Sequence, residues 1–133
     1  MTTNNTTIAP ATPAHPDAAI LAAWERNKAA RAIYDALPIS DLPCGAYTPE
    51  EQALWDVMDE TEELIVSTVA ATPAGVEAQL WIALGHQITL NNECAAALRG
   101  DMDWFDANGT EIDFVQRMTL AAIRSVRAIG GAA

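Results

Sequence analysis

Four carboxylates on one short stretch, Asp56, Asp59, Glu60 and Glu63, are the residues with the clearest capacity for chemistry. Steps of three and four positions put such residues on one side of a helix, about 5–6 Å apart. A row of that kind can imitate the phosphate repeat of a nucleic acid and occupy the basic groove of another protein. The same row also reads as a solvated face that keeps a domain in solution. No Lys or Arg stands between residues 32 and 98, so nothing nearby in sequence neutralises it. Two sets of bases lie on other segments: Arg26, Lys28 and Arg31 early, Arg117, Arg124 and Arg127 late. Folding that brought either set alongside would offset the row in part.

Other reactive residue types form weaker patterns. Aligning Gly109 with the glycine of a calcium loop places Asp106 and Asn108 at ligand positions. It also leaves Trp104 and Val115 where the first and last carboxylates are required, so an acidic turn explains the segment better. The two histidines, His15 and His86, belong to no Glu-x-x-His or His-x-x-x-His pair. His86 is expected to bond locally, near Gln79 and Glu93. Cys94 falls on an apolar helical stripe and Cys44 in a loop beside Gly45, without metal-like spacing. No nucleophile elbow, phosphate loop or dinucleotide-binding glycine pattern is present, so neither an enzyme nor a cofactor is expected.

Composition narrows the partners. The chain has 133 residues, with 18 acids against 7 bases and a formal charge of −11. Direct nucleic-acid binding requires clustered Lys and Arg, and an anionic membrane surface favours the same. Both are therefore excluded as expectations, while a basic protein partner is admitted. The opening MTTNNTTIAPATPA lacks the charge and apolar core of a secretory signal, which makes cytoplasmic residence the expectation.

The elements that must position these residues follow from periodicity. Residues 1–14 are expected to be a disordered tail, and 15–133 a single helical domain. A first helix opens at Pro16-Asp17 and carries Ile20, Trp24, Asn27, Arg31, Tyr34 and Leu37 on one stripe, with Pro38 ending it. Thr48-Pro49-Glu50-Glu51 is a capping box that starts the second helix. Its inner stripe is Leu54, Met58, Thr61, Ile65 and Thr68, opposite the acidic row. Thr72-Pro73 starts a third helix, expected to run to Arg99 with Gly100 as its left-handed cap. Asp101 to Asn108 reads as an acidic loop or short turn. Thr110 is expected to cap a fourth helix, whose buried stripe is Ile112, Val115, Thr119, Ala122, Val126 and Ile129. The fold class expected is all-α, an antiparallel four-helix bundle.

Helix three is apolar nearly all round, because Trp81 and Ile82 leave its stripe on opposite sides. Trp81, Ile82, Gln87 and Asn91 are therefore candidates for a self-association surface that would make the chain a homo-oligomer. The alternatives stay open: Trp81 covered by the 101–108 loop, and the two amides bonded to loop backbone.

Several helix motifs together resemble a group of short, uncharacterised bacterial and prophage proteins. In them a D-x-x-[IL]-x-x-x-W-x-x-x-R-like helix is matched from His15-Pro16-Asp17 through Trp24-Glu25-Arg26 and on to Tyr34-Asp35-Ala36-Leu37-Pro38. An acidic second helix is matched by Trp55, Met58, Asp59, Glu62 and Ile65, and a T-x-x-G third-helix start by Thr72-Pro73-Ala74-Gly75. The resemblance spans residues 15 to 98 and implies a small helical protein carried on mobile elements, with no catalytic or binding residues attached. The function expected is a non-enzymatic protein–protein interaction module, or alternatively an acidic phage-type inhibitor that blocks a nucleic-acid-binding host protein.

Overall fold

The computed structural model describes residues 15–108 and 112–131. The proposed tail at 1–14 and the proposed cap at Thr110 lie outside them. Among the described residues the fold is all-helical: α1 (Ala18–Ala36), α2 (Pro49–Ser67), α3 (Pro73–Gln87), α4 (Asn91–Arg99), α5 (Met102–Asn108) and α6 (Phe114–Gly131). No helix there is long and apolar enough to cross a membrane.

α1 and α2 pair with each other, while α3 packs against α6, α4 and α1. The stripes read from sequence in α1 and α2 face this core. Ile20, Trp24 and Asn27 are buried on α1, and Met58, Thr61 and Ile65 on α2. The capping box forms in both directions. The Glu51 N–H donates to Thr48 Oγ1 at 3.1 Å, and the Thr48 N–H donates to Glu51 Oε1 at 3.3 Å. With Pro49 in the first turn, where its missing N–H costs nothing, these bonds set where α2 begins.

The expected third helix is two helices. Ile88 and Leu90 adopt extended backbone, and α4 folds back on α3 so closely that a Cβ on Gly85 would lie 2.4 Å from Leu98 Cδ2. The Cys94 thiol donates to the Gly85 carbonyl at 3.4 Å and bonds one group of the turn. The break carries neither proline nor glycine. Its causes are the β-branched pair Ile88-Thr89 and the burial of Ile88, which tertiary packing rewards over helical continuation. Gly100 does close α4 in the left-handed conformation, at φ 68°.

The segment expected as an acidic loop is α5. The Trp104 N–H donates to Asp101 Oδ1 at 3.0 Å, which caps the helix. Met102 and Phe105, one turn apart, are buried and hold it down. α6 is capped by Asp113, which exchanges hydrogen bonds with Gln116 in both directions. Its buried residues are Leu120 and Ile123, while Val115 and Ile129 from the expected stripe are exposed. The packed row runs Gln116, Leu120, Ile123, Arg127, with polar anchors at both ends. Gln116 Nε2 donates to the Gln87 carbonyl at 2.7 Å, and Arg127 pairs with Glu77 at 2.6 Å. A hydrophobicity stripe does not register such anchors, so the sequence reading was rotated by part of a turn.

Asp17 joins the start of α1 to the start of α3. Its carboxylate accepts from the N–H groups of Ala71 and Thr72, each at 2.8 Å, and from the Thr72 hydroxyl. The residue makes no side-chain cap to α1 and instead braces the turn before α3, whose own cap is Thr72. Gly75 is required opposite it, because a Cβ there would stand 2.2 Å from Asp17 Oδ2. Chiefly the Thr72 hydroxyl, then the Ala71 N–H, holds the Asp17 carboxyl below its ordinary value. A carboxylate with a depressed folded pKa contributes stability that is fully present above the ordinary value and is lost as pH falls through the folded one. The melting temperature is therefore expected to drop below about pH 4. Asp17→Asn should lower stability at neutral pH and flatten that part of the acid profile, as thermal melts across the pH range would read out.

Candidate functional site

The surface on which the candidate residues converge is the outer side of α2. Asp56, Asp59, Glu60 and Glu63 are all exposed there, as helical spacing predicts once Met58, Thr61 and Ile65 face inward. Asp56 accepts a hydrogen bond from Gln52 at 2.9 Å. Glu60 has one cationic neighbour, Arg26, at 3.7 Å, and both side chains are more than half exposed. Asp59 and Glu63 take part in no ion pair among the described residues.

The other cations, Arg117 apart, are engaged elsewhere among the described residues. Arg124 pairs with Asp106 at 2.8 Å, Arg99 with Asp101 at 3.1 Å and Lys28 with Glu25 at 2.7 Å. Arg31 pairs with Glu62, which sits on the flank of α2 and turns away from the acidic row. Of the two basic sets expected to shield the row, only Arg26 reaches it. An exposed pair near 4 Å contributes at most about 1 kcal/mol, so the row keeps most of its field.

Glu62 is the residue that sequence reading passed over as a site member. Its Oε1 takes Arg31, and its Oε2 lies 2.8 Å from His86 Nε2, so one carboxylate ties α1, α2 and α3 together. His86 was expected beside Gln79 and Glu93. Gln79 instead donates to the carbonyls of Ile65 at 3.0 Å and Thr68 at 2.7 Å, which satisfies the end of α2. Only a reading of which flank of α2 faces α3 could have singled out Glu62.

The self-association set is not brought together. Trp81 is fully buried and Ile82 nearly so, both covered by this chain's own core. Trp81 stacks against Phe105 of α5 with centroids 6.1 Å apart, so the segment read as a loop does cover it. Gln87 and Asn91 are exposed. The Gln87 carbonyl and side chain receive Gln116 and Thr119 of α6, so its role is local fastening. The exposed apolar side chains lie elsewhere, with Phe114, Val115 and Met118 grouped on the first turns of α6.

The calcium-like segment is occupied by protein contacts. Asp101 caps α5, Asp106 holds Arg124, and Asn108 Nδ2 donates to the Trp104 carbonyl at 2.7 Å. Burial pushes the Cys94 thiol up from its ordinary pKa, which keeps it in the weakly nucleophilic protonated form. Cys44 is exposed.

No protein-family model matches this chain, and neither a curated protein nor a solved structure matches it.

Proposed function

We propose that this chain is a non-enzymatic interaction module that presents the acidic side of α2 to a basic protein partner. One observation carries the reading: four exposed carboxylates share a helix face that a single, half-exposed arginine approaches. In a chain of net charge −11, such a face steers basic partners and repels acidic ones. The apolar group Phe114, Val115 and Met118 adds exposed surface of the kind that interfaces cover.

A second reading makes the partner a nucleic-acid-binding protein whose groove the row fills in place of phosphates. The missing neutralisation favours it, because a phosphate mimic must arrive with its charge unspent. The helix motifs that resemble those of short prophage proteins are in keeping with an inhibitor carried on a mobile element.

Both readings meet one experiment. In affinity capture from the native host, Asp56→Asn, Asp59→Asn, Glu60→Gln and Glu63→Gln together are expected to abolish capture of basic proteins, as is raised salt. Helical dichroism should stay unchanged, since the four side chains are exposed. Capture that survives the fourfold change overturns the acidic surface as the binding face. Competition by duplex DNA for the captured protein would separate the mimic from the more general module.

A further inference from the structure

A groove of about 400 Å³ runs between α1 and α4. That volume lies within the range of small-molecule sites, about 300–1,000 Å³. Its lining is richer in bases than the rest of the molecule, although each base also has an acidic partner, Glu25, Glu62 or Asp101. Lys28, Arg31 and Arg99 line it, three of the seven bases in the chain, against the single acid Asp35. Its floor is apolar, made by Ala32, Cys94, Ala95 and Leu98.

The contacts around Trp24 place one of its ends. Lys28 Nζ lies 5.2 Å from the centroid of the Trp24 ring, and a Cβ on Gly100 would stand 3.2 Å from the same ring. Lys28 and the Arg99–Gly100 corner therefore share one end. Asp35, seven residues along α1 and so about 10 Å away, marks the other end with Asn91. Arg31 between them is committed to Asn27 and Glu62 and contributes field rather than a free donor. Apart from the Trp24 ring over which Lys28 lies, Lys28 and Arg99 are held by partners two or three residues away in sequence, the exposed Glu25 and the half-buried Asp101. Such pairs exchange at little cost, because each is worth about 0–1 kcal/mol.

We propose that this groove binds a small amphipathic monocarboxylate, its head between Lys28 and Arg99 and its apolar body along Ala32, Cys94, Ala95 and Leu98. Asp35 closes the far end and disfavours a second carboxylate there. The site is independent of the acidic face of α2, and neither proposal requires the other.

The chain carries its own reporter pair, since Cys94 lines the groove and Cys44 is exposed in the α1–α2 connection. The test is alkylation of the full chain by iodoacetamide, followed site by site by mass spectrometry, with octanoate below its micellar concentration as the probe. Octanoate is expected to slow modification of Cys94 several-fold and to leave the rate at Cys44 unchanged. Octylamine, with the same body and the opposite head, should not protect, and octanedioate should protect less than octanoate. Lys28→Gln with Arg99→Gln should weaken octanoate binding by about ten-fold or more in calorimetry, because two charge-assisted contacts are lost. Both replaced side chains are on the groove rim, and unchanged helical dichroism will certify the fold. Equal protection by octylamine, equal slowing at both cysteines, no protection by octanoate, or undiminished binding by the double variant would each overturn the proposal.

Discussion

Trp81→Ala is expected to lower the free energy of unfolding by about 3–5 kcal/mol, the largest single effect in the molecule. The side chain is fully buried on α3, the helix that touches α1, α4 and α6. It stacks on Phe105, donates through Nε1 to Glu77 at 3.2 Å, and lies under the Arg127 guanidinium at 5.7 Å. A Cβ on Gly100 would stand only 3.3 Å from Nε1, so the backbone that ends α4 already rests on the ring. Removing the indole opens a void between Phe105 of α5, the Gly100 corner and Arg127 of α6. Urea denaturation reads the loss directly. Trp81→Phe keeps most of the volume and should recover more than half of it, and a small cost for Trp81→Ala would show that the core is not centred there.

Asn27→Ala is expected to cost about 2–3 kcal/mol, from both the cavity and the stranded partners. Asn27 is fully buried, and its amide joins the α1–α2 pair. Nδ2 donates to Thr61 Oγ1 at 3.0 Å and to the Met58 carbonyl at 3.3 Å, while Oδ1 accepts from Arg31 Nε at 3.0 Å. Thr61 in turn donates to the Val57 carbonyl at 2.7 Å, so the network leads from Arg31 to the backbone of α2. A double-mutant cycle with Thr61→Val should show a coupling of about 0.5–3 kcal/mol. Additive losses would mean that the two side chains are satisfied independently.

Much of this architecture was legible in the residues, and the reasons are local. Thr48-Pro49-Glu50-Glu51 and Thr72-Pro73 announce helix starts because capping is a short-range bond between neighbours. The inner stripes of α1 and α2 are visible even where Asn27 and Thr61 interrupt them, because those polar residues face each other. What escaped was decided at long range. The β-branched pair Ile88-Thr89 is too weak a local signal to announce a break, which is stabilised by α4 docking on α3. The rotation of α6 depends on Gln87 and Glu77, which lie some 30 to 50 positions away in sequence.

The candidate surface divides in the same way. The exposure of Asp56, Asp59, Glu60 and Glu63 follows from helix geometry alone. That Arg124 and Arg127 are spent on Asp106 and Glu77 does not, because pairing depends on which helices meet. Trp81 is ambiguous in sequence for a related reason. An apolar girdle looks the same in sequence whether a second copy covers it or the chain's own α5 does.

Gly85 points at Leu98 with no room for even a methyl group, and so fixes how near α4 lies to α3. Neither Gly85 nor any other α3 residue lines the cleft between α4 and α1. Its aperture is nonetheless gauged from behind, by a residue that never meets whatever enters. A bulkier side chain there must displace Leu98, whose side chain also lines the cleft, so the tolerance of this one position is tied to the shape of a space that it never touches.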